Sequence, residues 1–341
     1  MFGRRSLMAV CVVLLMSAAR CWSAVRCSPA GWSSTEFALP AISGAAFWPR
    51  VSGDWAVALQ NTNPNNISST VGVVCYDLAK RQAYTLYSGK AASHAISGNL
   101  VAWSGKSDNI PTLRGTRGVR GTWPSCLILY DLPTGRCSAP KLKTNSAFVL
   151  AMTGDFVAYE MGCRIYLYNT RTGAQMRISD NAPSHRNPDV GGDLVVWQQY
   201  ADRSFKQCRI LGYRISTRET LEFPGGFASN SGPKTDGNTI VWSTTGGAKV
   251  YDVKSRIERS IPSAQFPDVS NGVVVYLKGA GCACGCGGSR FGRGVYGTDL
   301  SMKGEFRVSR GTADRPPSID NRRVVWAKGG VVYCADIKKV P

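Results

Sequence analysis

The sequence predicts an all-β fold: a seven-bladed β-propeller of four-stranded antiparallel blades, its ring closed by an N-terminal strand that completes the last blade. Three observations predict it. A Gly-Asp or Gly-Asn turn recurs along the chain, with an aromatic residue five positions after its glycine. Each recurrence carries four strand signals, and successive units lie 34 to 56 residues apart, near 45 at the centre. Four strands in about 45 residues is the size of one propeller blade.

The cleanest copy runs from Asn187 to Trp197, where a proline-bearing strand enters the Gly192-Asp193 turn and Leu194-Val195-Val196 leads to Trp197. Other units turn at Gly53-Asp54, Gly98-Asn99, Gly154-Asp155 and Gly237-Asn238, with degenerate copies at Asn271-Gly272 and Asn321-Arg322. The matching aromatics are Trp103, Tyr159, Trp197, Trp242, Tyr276 and Trp326; the first unit has Ala58 there and carries Trp55 instead. The third strand of a unit ends on Tyr-Asp or a relative, as at Tyr76-Asp77 and Tyr130-Asp131. Turns such as Leu132-Pro133-Thr134-Gly135 then lead to a fourth, and glycine and proline stand where hairpins need them. No stretch has helical periodicity.

Counted this way, blades start near residues 46, 91, 146, 186, 230, 264 and 314, within one domain spanning 25–341. The chain ends on a third strand. The missing fourth is supplied by Ser34 to Pro40, which fits the fourth-strand pattern.

Residues 1–24 read as a secretory signal. Arg4 and Arg5 precede a short apolar core, Leu7 to Met16, too short to span a bilayer. No second long apolar run follows. The expectation is an exported chain, periplasmic, cell-surface or extracellular, without a transmembrane segment once processed. The formal charge is +19; removing Arg4, Arg5 and Arg20 leaves 38 basic against 22 acidic residues, or +16. Such an excess attracts anionic partners.

The stretch from Asn187-Pro188-Asp189-Val190 through Gly192-Asp193-Leu194-Val195-Val196-Trp197, with Tyr213 beyond it, resembles the TolB-like propeller repeats of secreted and cell-surface bacterial and archaeal proteins. The resemblance covers about residues 46–337. It implies a binding or assembly scaffold with varied partners. Because the matching positions are structural, it brings over no catalytic residue.

Functional residues are sought where the repeat is interrupted. The second-to-third strand loops near 60–71, 104–125, 198–207 and 278–293 are long and share one face. They hold Lys106, Arg114, Arg117, Arg120, Arg203, Lys206, Lys278, Arg290 and Arg293 against only Asp108 and Asp202. Trp123, Tyr200, Phe205 and Phe291 lie among them. Guanidinium forks suit carboxylate, sulfate or phosphate, and aromatic rings stack on sugars or bases. The candidate binding set is Arg114, Arg117, Arg120, Trp123, Arg203, Phe205, Lys206, Arg290 and Arg293. A plain solvated basic rim is the competing reading.

Cys126, Cys163 and Cys208 map to the same face, with Cys282, Cys284 and Cys286 in the glycine-rich loop of blade six. In an exported chain these six are disulfide candidates. Cys282, Cys284 and Cys286 alternate as soft-metal ligands can, but zinc pairs use wider gaps and no histidine is near. Cys75 and Cys334 share a register and read as buried small apolar residues. Counting outward from Pro133-Thr134 sets Cys137 opposite Tyr130, which argues against a Cys126–Cys137 bond.

The only histidines are His94 and His185, so no Ser-His-Asp set is named by spacing, and no haem, Walker or His-Glu-x-x-His motif occurs. No cofactor is called for. Asp189 and Asp268 share a register on innermost strands, with Asp320 near it, and could surround the channel; paired acids would suit glycoside cleavage, while turn aspartates more simply accept backbone N–H groups. The expectation is a non-catalytic module binding an anionic polysaccharide, an envelope component or a protein through the basic loop face. The alternatives are a polysaccharide hydrolase or lyase with acids at the channel mouth, and a surface-layer or envelope-assembly protein. No specific nucleic-acid motif is present.

Overall fold

The computed structural model describes residues 25–27, 31–61, 71–105, 126–140, 142, 148–226, 231–279 and 294–340. They form seven antiparallel sheets; in six the strand order follows the chain from the axis outward, and in the last the N-terminal strands lie outside three C-terminal ones. The innermost strands are Ala45–Ser52, Ser93–Ser97, Phe148–Thr153, Ser184–Gly191, Ser231–Thr235, Gln265–Ser270 and Ser318–Asp320. Each touches the next around the axis, and blade seven touches blade one. The seven-bladed propeller is therefore the fold.

The repeated aromatics explain why the ring must close. Trp103, Tyr159, Trp197, Trp242, Tyr276 and Trp326 are all at most 1% exposed. Seven apolar clusters of buried residues lie one at each junction between neighbouring blades. No blade buries these side chains alone, so each junction depends on both neighbours.

Closure comes from the N-terminal segment. Trp32–Ala38 pairs antiparallel with Val331–Lys339 over seven residue pairs, from Trp32↔Lys339 to Ala38↔Tyr333. Trp32 anchors it by stacking on Phe306 of blade six, with ring centroids 4.8 Å apart. The strand begins and ends two residues earlier than its sequence pattern indicates. A further strand, Val25–Cys27, pairs outside it, so this blade has five strands where four were expected.

A circumferential set of hydrogen bonds ties the inner strands together. The Ser52 hydroxyl accepts from the Gly98 amide at 2.9 Å, and Ser97 from Gly154 at 2.8 Å. Asp236 accepts from Gly272 at 3.2 Å, and Ser270 from Asn321 at 2.9 Å. Asp320 of blade seven accepts from Gly53 of blade one at 2.6 Å. The turn glycine thus presents its amide to the preceding blade. Between blades four and five the device differs: Gly191 lies so close to Thr235 that a Cβ there would fall 2.3 Å from the Thr235 carbonyl oxygen.

Candidate binding face at the channel mouth

The first strand of several blades is longer than its pattern indicates, because it crosses a bulge. Pairing skips from Phe47 to Arg50, from Arg186 to Asp189, from Ser231 to Lys234 and from Gln265 to Asp268. Each gap holds a residue and then proline: Trp48-Pro49, Asn187-Pro188, Gly232-Pro233 and Phe266-Pro267. Proline has no N–H to give the ladder, so the strand steps around it. His185 consequently lies inside a first strand, paired with Gln199.

The residue before each proline is left-handed, with φ of 50° at Trp48, 52° at Asn187, 56° at Gly232 and 51° at Phe266. Glycine and asparagine tolerate this; tryptophan and phenylalanine pay about 1–2 kcal/mol for it. Strain of this kind concentrates at working sites. All four residues line one mouth of the channel, with Arg50, His94, Lys234 and Asp268 below, around a cavity of about 440 Å³. Trp48 and Phe266 are each 47% exposed there. Inner strands start at this mouth, so it opens on the face of the long loops. A second cavity of about 330 Å³ opens on the turn face and shares Arg50, Leu150 and Asp268 with the first. Those three residues mark the waist of the channel.

The channel carboxylates are committed to the backbone. Asp189 accepts from the Thr235 amide at 2.9 Å and pairs with Lys234 Nζ at 2.7 Å. Asp268 accepts from the amides of Val269 and Ile319 at 3.0 and 3.1 Å. Burial pushes the Asp268 carboxyl up, opposed by the charges of Lys234 and Arg50. Asp320 holds Gly53. The turn-type role is the one these residues have, their oxygens accepting backbone amides.

His185 is equally occupied. Its Nδ1 accepts from the Trp197 indole at 2.9 Å, which leaves Nε2 to donate to Asp180 at 2.8 Å. Burial lowers its pKa, with Asp180 opposing. Both ring nitrogens are taken, so this Asp-His pair has no atom for a nucleophile. His94 differs: it is buried, and its Nε2 has no hydrogen-bond partner. Burial, then the charge of Arg50, brings its pKa down to about 3. An unfolded histidine binds its proton near pH 6.5. Between those values the unfolded chain holds the extra proton, so stability falls as pH drops below about 6.5, by up to about 1.4 kcal/mol per unit. The difference in stability between the natural protein and His94→Gln is expected to shrink on that slope from pH 6.5 to 4.5. Urea titrations across that range measure it; parallel pH profiles would refute it.

Of the candidate binding residues, Arg203, Phe205 and Lys206 are described and exposed. Arg114, Arg117, Arg120, Trp123, Arg290 and Arg293 lie outside the described residues, as do Cys282, Cys284 and Cys286. Lys278 is neutralised by Glu305 at 2.8 Å. Phe205 is not an open platform. Its ring carries the Arg186 guanidinium at 4.4 Å and meets Tyr200 edge-on at 5.2 Å. Arg186 also reaches the Cys163 sulfur at 3.8 Å, and Gln198 donates to the Cys208 sulfur at 3.2 Å. Cys163, Phe205 and Cys208 thus belong to one neighbourhood organised by Arg186 and Gln198, neither of which stood out in the sequence.

No disulfide joins any two of the described Cys75, Cys126, Cys137, Cys163, Cys208 and Cys334. Cys126 donates to the Gly105 carbonyl at 3.0 Å. Cys137 lies opposite Tyr130. Cys75 and Cys334 are fully buried in different junctions, and burial pushes each thiol up to about 12, as suits small apolar residues. No cluster of metal-ligating side chains occurs among the described residues.

Trp48, Arg50, His94 and Phe266, which line this mouth, were not singled out as candidate binding residues by sequence reading. The signal available was the residue before proline: it varies from Trp to Asn, Gly and Phe while its surroundings repeat.

No family model matches the chain, and no curated protein matches it. Solved structures do. An oligogalacturonate lyase in complex with manganese superposes with a TM-score of 0.59 at 10% identity, over 93% of this chain and 96% of that one. The acylaminoacyl peptidase of Pyrococcus horikoshii gives 0.55 at 12% identity, over 83% of this chain; the chain spans about half, 48%, of that peptidase. TolB from Acinetobacter baumannii gives 0.47 at 12% identity, over 84% and 82%. At these identities the likeness is one of fold: this chain is similar to the β-propellers of that lyase and that peptidase.

Proposed function

We propose that the chain is an exported, non-catalytic binding module that holds an anionic glycan, an envelope component or a protein partner on its long-loop face. The observation that carries this reading is the channel mouth on that face. Two half-exposed aromatic side chains, Trp48 and Phe266, are held there in strained left-handed positions above the guanidinium of Arg50. A fold keeps such strain where the side chain does something the backbone would not otherwise support. The basic balance of the long loops adds attraction for a negatively charged partner. The commitment of Asp189, Asp268, Asp320 and His185 to structural hydrogen bonds gives no support to the alternative of a polysaccharide-cleaving enzyme. Export rests on residues 1–24, which lie outside the described residues.

The test is salt elution from an immobilised sulfated polysaccharide. The pair Arg203→Glu and Lys206→Glu, on the long-loop face, is expected to elute at clearly lower salt than the natural protein. Lys254→Glu with Arg256→Glu, in an exposed turn on the opposite face, is expected to elute nearly as the natural protein does. Equal losses from the two faces would sink the proposal, because binding would then follow net charge alone.

A further inference from the structure

We propose that the long-loop mouth is a well for a single carboxylate carried on an apolar body, and that its natural occupant is the C-terminal end of a partner polypeptide. This rests on the reading of that face as a binding site and names what it takes.

The argument begins with unspent hydrogen bonds. Arg50 stands half-buried at the channel waist, yet it makes no hydrogen bond or ion pair with any described residue. Its nearest charged companions are already engaged. Lys234 is held by Asp189, and both Asp268 oxygens accept backbone amides. A guanidinium has five N–H donors in a planar fork, matched by the two oxygens of a carboxylate. These donors face the open channel, and a carboxylate that fills the fork exchanges water for charge-assisted hydrogen bonds. Inside the well Arg50 is the one guanidinium, while Arg315 stands over the Trp48 ring at the rim, 5.7 Å from its centroid; a single fork within suits a monoanion, whereas phosphorylated ligands are typically met by clusters of arginine.

The walls choose the rest of the ligand. Trp48 and Phe266, with the prolines beside them, make the upper well mainly apolar. A hydroxyl-rich sugar would lose water there and find few partners. An apolar side chain next to a terminal carboxylate would not. His94 lines the same well, with its Nε2 shielded from solvent, so Arg50 is the contact that reads the charge. Capture of a C-terminal carboxylate is a recurrent mode of peptide recognition.

Calorimetric titration tests this with N-acetyl-glycyl-phenylalanine as the free acid, its C-terminal amide, phenylacetate and digalacturonate. The free acid is expected to bind at least tenfold more tightly than the amide, and more tightly than phenylacetate. Arg50→Gln is expected to weaken the acid at least tenfold, about 1.4 kcal/mol, with the thermal midpoint unchanged. Trp48→Asn, which keeps a residue tolerant of the left-handed backbone, is expected to weaken acid and amide alike. Equal binding of acid and amide, or an unaffected Arg50→Gln, overturns the carboxylate well. Tighter binding of phenylacetate overturns the polypeptide source, and tighter binding of digalacturonate overturns the apolar body. If the dipeptide acid fails to bind while the sulfated polymer still discriminates the two faces, this inference falls and the binding face stands.

Discussion

Deleting residues 1–38 is expected to leave a chain with no cooperative thermal transition, while deleting residues 1–27 preserves one. The two truncations differ by the strand Trp32–Ala38. That strand contributes a seven-pair ladder to the last blade and buries Trp32 against Phe306. Net contributions of about 1 kcal/mol per backbone hydrogen bond and about 3 kcal/mol for a large buried side chain are comparable with the whole stability of a typical domain, about 5–15 kcal/mol. The apolar clusters between blades six and seven and between seven and one would both be opened, since Trp32 belongs to the first and Phe37 packs on the second. Val25–Cys27 only adds a short outer edge. Circular dichroism melts of the two truncations decide it; a cooperative transition in the shorter chain would show that the ring does not need its clasp.

Gly191→Ala is expected to cost at least about 3 kcal/mol, in the range of severe steric substitutions. The added Cβ would meet the Thr235 carbonyl oxygen at 2.3 Å and the Asp236 backbone at 2.7 Å. These are backbone atoms of the neighbouring blade, so relief requires the blades to separate. A loss of that size lowers the melting temperature by roughly 6–12 °C in a chain this long. Gly53→Ala is the informative comparison. Its φ is +55°, but nothing lies within 4 Å of the new Cβ. It should cost only the left-handed penalty, about 1–2 kcal/mol. If the two variants melt together, close inter-blade contact is not what fixes glycine at 191.

The sequence made the scaffold legible because each structural demand recurs. Trp197 and its counterparts are apolar at one offset since every junction needs a large buried ring. Gly192, Gly154 and Gly98 recur since every inner hairpin needs a left-handed turn. The closing strand was legible by subtraction, as both chain ends lack complementary pieces. The site was less so. The proline at each bulge is plain in the sequence, but nothing local says that the residue before it turns left-handed, since the prior for that position is extended. Only the register gap puts Trp48, Asn187, Gly232 and Phe266 around one opening. Arg50 was invisible for a different reason: an unpaired donor is a property of everything around it. Phe205 was selected for being aromatic in a basic loop, yet Arg186, in the strand Ser184–Gly191, occupies its face.

The antiparallel clasp also sets how the ring responds to force. Trp32 lies opposite Lys339, and the Val340 amide bonds to the Gly31 carbonyl at 2.6 Å, so these two strand ends meet at the same corner of blade seven. A pull on residues 31 and 340 therefore peels the ladder one pair at a time, rather than shearing all seven together. The propeller is held shut against thermal opening by the sum of those pairs, but against tension applied at its ends by one pair at a time.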